Sequence, residues 1–421
     1  MASRKQPAFW SRLGAGLITG ASDDDPSGIA TYSQAGAQFG YQLAWTMLFT
    51  YPLMVVIQDM SARVGRVTGQ GIAGNLRQHY PNWLLQSIVA LLVIANTLNI
   101  GADLGAMAEA TELVLPRLSP WVWVVFFGTV CTLAQVFFSY ARYVKVLKWL
   151  TLALLSYFAV LLVIKVPWAE VARSMLLPRW SRASDFWLMV VAILGTTISP
   201  YLFFWQAAQE VEDTKTDAQR VPLLKKPAQA PSALARIRFD TVVGMGFSNL
   251  VGLAIVVTTG ATLHGAGVQK VDSAAQAAQA LRPLAGDFAF ALFALGILGT
   301  GLLSVPVLAG SAAYGLGEAR RWPVGLSRKP LQAKAFYATI AAATFLGAAL
   351  NVAAISPMKA LVWAAVINGV VASPVMALLV LMSANSRVMG RFTVSGRGLS
   401  VGWLATAVMV VATAAWAISS L

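Results

Sequence analysis

Three consecutive aspartates, a proline and a glycine interrupt an apolar stretch near the start of the chain. The segment "SDDDPSG" occupies residues 22–28, inside an apolar run that we place at residues 13–33. An aspartate at the centre of a bilayer costs about 2.5–3.5 kcal/mol on insertion scales, so buried charges of this kind mark binding sites or ion paths. Asp25, directly before Pro26, is the strongest candidate for a charged group that binds a cation.

A second apolar stretch is interrupted in a matching way. The segment "GTTISPY" at residues 195–201 places Pro200 inside a hydrophobic pattern. A proline removes a backbone donor and clashes with the preceding turn, so both helices should open at these points. An opened backbone survives at membrane depth only where it lines a cavity or is covered by protein. We therefore expect the two interruptions to face one another around a site.

The side chains at the two interruptions offer oxygen donors and no soft ligand. Hard oxygen donors suit Mg²⁺ or Mn²⁺ better than soft metals, and Mg²⁺ usually keeps several of its waters. Ile198 would contribute a freed carbonyl, and Asn368 is a polar residue of a later span. For Asp23 and Asp24 an alternative is equally open, in which they cap the inner half-helix or stay hydrated. The candidate metal ligands are Asp24, Asp25, Thr196, Thr197, Ile198, Ser199, Tyr201 and Asn368.

The composition indicates an all-α polytopic membrane protein. Of the 421 residues 57% are hydrophobic and 11% are charged, whereas soluble domains carry roughly 25% charged residues. Apolar runs of about 20 residues, long enough to cross a bilayer, recur along the chain. We place eleven spans at residues 13–33, 41–62, 84–113, 120–140, 145–165, 186–208, 239–263, 286–316, 335–354, 359–383 and 399–420.

The net charge of +14 follows the membrane topology. With a cytoplasmic N-terminus, most of the 31 lysines and arginines fall in the inner segments, as the positive-inside rule predicts. A bacterial inner membrane is the expected location, the lipid bilayer is the expected partner, and a nucleic-acid surface is disfavoured. We interpret the N-terminal segment as a retained first span, because its apolar part is short and has no convincing cleavage site.

The connections between spans are mostly short. The longest, residues 210–240, contains Pro222, Pro227 and Pro231 and is predicted to be a cytoplasmic linker. Residues 271–283 predict a short outer surface helix, capped by Asp272 or Ser273 and stopped by Pro283.

The spacing of the two broken spans points to an internal repeat. Spans one and six are five spans apart, and equivalent broken helices in two halves indicate an inverted-repeat transporter with a site at mid-membrane. We therefore expect a single transporter domain, with repeat one at about 13–165 and repeat two at about 186–383. An extra helix at about 399–420 would follow. Ordinary proline kinks are the alternative.

The chain resembles the Nramp divalent-metal transporters. The resemblance is carried by "GAGLITGASDDDPSGIATYSQAGAQFGYQLAW", "QDMSARVGRVTGQGIAGNLRQHYP", "GADLGAMAEA" and "ALFALGILGTGLLS". It implies a leucine-transporter-like fold of five plus five inverted helices, in which helices 1 and 6 are broken.

The departures from the family pattern fall at positions that determine which ions the site selects. Where the family has Asp-Pro-Gly-Asn, this chain has Asp25, Pro26, Ser27 and Gly28. Where the family has Ala and then Met-Pro-His, the matching positions are Thr196, Ser199, Pro200 and Tyr201. Loss of the thioether should relax discrimination against alkaline-earth ions. The combination is similar to the Nramp-related magnesium transporter branch.

Proton coupling is predicted to be weak or absent. Asp103 matches the family's carboxylate in span three, but the following glutamate position is Ala106 and the second span-six histidine position is Gln206. Asp103 would then be a remnant of a proton path, hydrogen-bonded to Asn99 or to a neighbouring helix.

These observations favour a secondary transporter or facilitator that imports divalent cations, Mg²⁺ and Mn²⁺ first, by alternating access. A proton-coupled Mn²⁺/Fe²⁺ symporter of the Nramp type and an amine or amino-acid carrier on the same fold remain alternatives. A membrane-embedded enzyme is disfavoured, because the chain has one cysteine, Cys131, and two histidines, His79 and His264, both placed in loops. We expect no cofactor and no obligate protein partner.

Overall fold

The computed structural model describes residues 15–137, 152–217, 219–352 and 355–420, and within these ranges it contains helices and turns but no strand. We label the described helices of eight or more residues in chain order. They are α1 Ala15–Asp23, α2 Pro26–Phe39, α3 Ala44–Thr68, α4 Ile72–His79, α5 Asn82–Glu112, α6 Pro120–Phe137, α7 Leu155–Val163, α8 Trp168–Leu176, α9 Ser184–Thr197, α10 Pro200–Thr216, α11 Ala230–Thr259, α12 Ala289–Arg320, α13 Lys334–Ala349, α14 Pro357–Ala384 and α15 Arg397–Ser419.

Eight of the described helical segments are long and apolar enough to cross a membrane. A bent pair, Leu152–Val163 and Trp168–Leu176, with an angle of 119° between its halves, would raise the number to nine. The segments α1 and α2 are each too short to span and together form one interrupted span. The helices α9 and α10 form the second interrupted span.

Two predicted connections differ from the structure. The linker predicted at residues 210–240 is shorter, because α10 continues to Thr216 and α11 begins at Ala230. Pro231 lies in the first turn of α11, where its missing N–H would have no helical partner anyway. The outer helix predicted at 271–283 is divided into short pieces. Its cap is Ser273, which accepts from the Gln276 amide at 3.3 Å, while Pro283 begins a further turn instead of ending the helix.

Part of the fifth predicted span, 145–165, lies outside the described residues. Its described portion is a 3₁₀ turn, Leu152–Leu154, followed by the nine residues of α7. The first residues of span one and residues 138–140 of span four also lie outside the described ranges.

The interrupted span α1–α2 lies along the continuous helix α11 at a constant offset of 224 residues. The Gly16 amide donates to Asp240 Oδ2 at 2.7 Å, and Ser248 lies 3.2 Å from the Asp24 carboxylate. Further along, the Gly40 position faces His264. A constant offset means that the two segments run parallel and in register on both sides of the break.

Small residues allow this contact to be made between backbones. A Cβ at Gly20 would lie 2.2 Å from the Gly244 carbonyl oxygen, and a Cβ at Gly36 would lie 2.4 Å from the Val256 carbonyl oxygen. Glycine and other small residues every four positions are the usual means by which membrane helices approach closely. The helix α11 therefore acts as the support on which the broken span is held.

We predict that Gly20→Ala destabilises the protein, because the added methyl group meets backbone that cannot move aside. Overpacking typically costs about 1–3 kcal/mol, and the expected result is a lower apparent melting temperature in detergent, measured by size-exclusion thermostability. Gly296→Ala is the matched control, since its Cβ would find its nearest neighbour at 3.5 Å. That variant should be neutral or slightly stabilised, and equal losses in both variants would contradict the role of the α1–α11 contact.

Candidate metal site

Asp25 lies in the break between α1 and α2 and caps the second segment. Its backbone is extended, with φ −68° and ψ 171°, and Oδ1 accepts from the Gly28 amide at 2.8 Å and from Ser27 Oγ at 2.6 Å. The carboxylate therefore lies at the N-terminus of α2, where the helix dipole favours negative charge.

The two prolines each free one backbone carbonyl, and site hydroxyl groups replace the missing donors. Pro26 cannot donate to the Ser22 carbonyl, which accepts instead from the Tyr201 hydroxyl at 2.9 Å. Pro200 cannot donate to the Thr196 carbonyl, and Ser199 Oγ lies 2.9 Å from that carbonyl and 2.7 Å from the Gly195 carbonyl. Tyr201 thus connects the two broken spans, and the backbone groups opened by proline remain satisfied inside the membrane.

The second oxygen of Asp25 is bound by groups from two other helices. Asn99 Nδ2 donates to Oδ2 at 3.0 Å, and the Tyr201 hydroxyl lies 3.4 Å from the same atom. Because the hydroxyl proton of Tyr201 is directed to the shorter contact with Ser22, Oδ2 keeps room for a further ligand. Asn99 Oδ1 is buried and has no hydrogen-bond partner.

Asn99 is the functional candidate that the sequence prediction missed. The sequence predicts Asn99 as a possible partner of Asp103, but in the structure its amide donates to Asp25. The available signal was the spacing of Asn96, Asn99 and Asp103, which places all three polar residues on one face of α5.

Asp103 is hydrogen-bonded to a residue of a neighbouring helix, which is one of the two pairings predicted from the sequence. Ser304 Oγ of α12 donates to Asp103 Oδ2 at 2.9 Å, and Oδ1 has no hydrogen-bond partner. The alternative pairing with Asn99 is wrong. Asn99 lies one helical turn from Asp103 on α5, but its amide donates to Asp25 instead.

The other predicted ligands of the second break differ in their surroundings. Thr197 Oγ1 donates to the Ile193 carbonyl at 2.9 Å, within its own helix. Thr196 Oγ1 would lie 3.1 Å from a Cβ at Gly28, so the two breaks are in close contact at that position. Ile198 is the first residue after α9, with φ −124° and ψ 61°, and the last carbonyls of a helix lack helical donors.

Asn368 lies on α14 beside this break. A Cβ on the neighbouring Gly369 would lie 2.8 Å from the Val191 carbonyl oxygen of α9. Both polar atoms of the Asn368 amide are buried without a hydrogen-bond partner. An amide in this state is available for a ligand.

Asp23 and Asp24 are directed towards α11. Ser248 Oγ donates to Asp23 Oδ2 at 2.5 Å and lies 3.2 Å from Asp24 Oδ1, whereas neither aspartate shares the hydrogen-bond donors of Asp25. Both carboxylates are at most 1% exposed. The expectation that they stay hydrated is therefore wrong.

The whole arrangement is enclosed. Asp25, Asn99, Ser199, Tyr201 and Asn368 are each at most 1% exposed, so neither side of the membrane has an open path to them. No group of three or more His, Cys, Asp or Glu side chains in the described ranges is arranged to hold a metal ion. A cation would have to be bound by one carboxylate with amide, hydroxyl and carbonyl oxygens.

Comparison with known families decides the relationship. The sequence profile described as "Natural resistance-associated macrophage protein-like", or Nramp, matches residues 16–419. The chain belongs to the Nramp family. The resemblance noted in the sequence is confirmed, and membership makes the protein a membrane transporter and not an enzyme.

Two curated Nramp relatives are bacterial proteins named divalent metal cation transporter MntH. The protein from Deinococcus radiodurans is 27% identical over 311 residues, which cover 70% of this chain and 66% of that protein. The protein from Chromohalobacter salexigens is 29% identical over 314 residues, which cover 71% of this chain and 69% of that protein.

Solved structures confirm the fold. A manganese transporter from Eremococcus coleocola has a TM-score of 0.75 at 16% identity, covering 98% of this Nramp chain and 88% of its own. A nucleobase-cation-symport-1 family transporter has a TM-score of 0.56 at 14% identity, covering 100% of this chain and 94% of its own. The predicted leucine-transporter-like architecture, with helices 1 and 6 broken, is thus confirmed for this chain.

Proposed function

We propose that this Nramp protein imports divalent cations by alternating access around Asp25, with Mg²⁺ and Mn²⁺ as the favoured ions. The observation that carries the proposal is the enclosed Asp25 carboxylate, which lies between two broken spans and is contacted only by neutral groups. A buried carboxylate without a cationic side chain is a strong attractor for a cation. The names of the curated relatives support divalent metal as the cargo.

The donor atoms favour a hard ion. The proposed ligands are the carboxylate of Asp25, the amide oxygens of Asn99 and Asn368, the hydroxyl oxygens of Thr196, Ser199 and Tyr201, and the carbonyl of Ile198. Thr197 and Asp24 are kept as lesser candidates because their polar groups face other partners. Oxygen ligands do not favour soft ions over Mg²⁺ as a thioether does.

The membrane potential supplies enough free energy for uptake without protons. A divalent cation gains about 4.6 kcal/mol per 100 mV, twice the value for a unit charge. Two positions that match the family's proton path are neutral in this chain, Ala106 and Gln206. Gln206 hydrogen-bonds with Gln58 and donates to Thr241 Oγ1 at 3.1 Å.

Proton-coupled Mn²⁺ symport is the second candidate. It is favoured by one observation, the fully buried Asp103, whose Oδ1 atom has no hydrogen-bond partner.

We further propose a cytoplasmic N-terminus in a bacterial inner membrane. The proposed single domain comprises repeats at about 13–165 and 186–383 and an extra helix at about 399–420.

Asp25→Asn should lower Mg²⁺ and Mn²⁺ uptake into liposomes at least tenfold. The amide keeps the size of the carboxylate but removes the charge that binds the ion, and tenfold corresponds to about 1.4 kcal/mol. The matched control is Asp287→Asn, an exposed aspartate on the surface, which should transport like the wild type. Undiminished uptake by Asp25→Asn would mean that the central assignment is wrong.

Ser199→Met should raise the Cd²⁺-to-Mg²⁺ uptake ratio about tenfold, because a thioether favours the softer ion. Ser199→Ala is the control that removes the hydroxyl group without adding sulfur, and its ratio should stay near the wild-type value. A ratio that does not change in Ser199→Met would refute the argument from ligand hardness.

Uptake should proceed without stoichiometric acidification of the liposome lumen. The measurement uses an enclosed pH dye, with a potassium diffusion potential set by valinomycin to drive entry. A more negative interior should accelerate Mn²⁺ uptake while the dye signal stays constant. Acidification that scales with the amount of imported ion would establish proton coupling and favour the second candidate.

A further inference from the structure

Asp23 and Asp24 form a second pair of buried carboxylates beside Asp25. They lie at the end of α1, and both contact Ser248 of α11, at 2.5 Å and 3.2 Å. Asp23 Oδ1 and Asp24 Oδ2 are buried and have no hydrogen-bond partner. Within the described ranges, no lysine, arginine or histidine forms an ion pair with either aspartate.

The protein stabilises this pair far less than it stabilises Asp25. Asp25 accepts hydrogen bonds from Ser27, Gly28 and Asn99 and lies at the positive end of α2. Asp23 and Asp24 share one serine hydroxyl and lie at the C-terminal end of α1, where the helix dipole opposes negative charge. Two adjacent buried carboxylates repel one another unless a cation or protons compensate them.

Tyr32 gives an independent indication of a ligand at this place. Its side chain is fully buried, its hydroxyl group has no geometrically well-formed hydrogen bond, and it lies close enough to Asp23, Asp24 and Asp25, and to the Thr196 hydroxyl group, to interact with them electrostatically. The end of the ring is held against α11, because a Cβ at Gly252 would lie 3.0 Å from Tyr32 Cζ. Gly252 is one helical turn from Ser248, so the ring of Tyr32 packs on α11 one turn from the serine that the aspartate pair contacts.

We propose that Asp23, Asp24 and Ser248 form a second cation-binding station on the α1 side of the break, which an ion occupies after it leaves Asp25. Two carboxylates neutralise one divalent cation, whereas a monovalent ion would leave a net negative charge buried. The α1 carbonyls that lack helical donors add oxygen ligands of the same hard type. The inference rests on the proposed function, since it assumes that the cargo is a divalent cation.

Mn²⁺ is the probe, because electron paramagnetic resonance measures the free ion in a solution of purified protein. The variant Asp25→Asn leaves the station as the remaining site, so it should still bind one Mn²⁺ although its uptake is at least tenfold lower. Adding Asp23→Asn and Asp24→Asn to that variant should abolish the remaining binding. The double variant Asp23→Asn/Asp24→Asn should retain Mn²⁺ binding at Asp25 and lose at least tenfold in uptake rate. Asp287→Asn is the surface control.

A stability measurement guards against misfolded variants. Mn²⁺ should raise the apparent melting temperature of Asp25→Asn, since a ligand stabilises the state that binds it, and should leave the triple variant unchanged. The station is refuted if Asp25→Asn binds no Mn²⁺, or if the double variant transports at the wild-type rate. Binding of ²²Na⁺ in place of Mn²⁺ by Asp25→Asn would also overturn it. Wild-type uptake by Asp25→Asn would instead overturn the proposed function.

Discussion

The bilayer requires every opened backbone group to find a partner, and the site is built around that requirement. Two prolines free the carbonyls of Ser22 and Thr196. The Tyr201 hydroxyl group donates to the first, and Ser199 Oγ lies within hydrogen-bond distance of the second and of the Gly195 carbonyl. The same residues that would face an ion therefore also hold the broken spans together. Because Tyr201 reaches across from the second break to the first, the two interruptions form one structural unit.

The helix α11 provides the second constraint. The broken span cannot support itself, and its register against α11 is kept from Gly16 to Gly40 by close contacts of glycine backbone with α11 backbone and side chains. At the level of the break the small residue of α11 is Ser248, whose hydroxyl group meets two aspartates. The buried aspartates therefore lie where the broken span packs on α11. Asp25 is directed to the middle of the bundle, and Asp23 and Asp24 are directed to α11.

The sequence allowed the main features of the fold to be predicted, including the positions of both breaks. Prolines within apolar runs located both breaks, since proline acts locally and needs no tertiary partner. Asn99 and Ser248 could not be assigned in the same way, because their importance comes from contacts between distant helices. The start of α11 was misplaced because Pro231 reads as a loop residue in sequence but is equally suited to the first turn of a helix. The glycines Gly16, Gly20, Gly36 and Gly40 were visible in the sequence, but the helix that they pack against was not.

The central claim is that one carboxylate with neutral oxygen donors binds a hard divalent ion. The most direct measurement is competition against Mn²⁺ uptake by the wild-type protein in liposomes, with Mg²⁺ and Cd²⁺ compared over the same range of concentrations. Mg²⁺ should inhibit Mn²⁺ uptake, and Cd²⁺ should inhibit it no more strongly than Mg²⁺ does, because the ligands are hard. Inhibition by Cd²⁺ at far lower concentrations, with Mg²⁺ ineffective, would contradict the central claim.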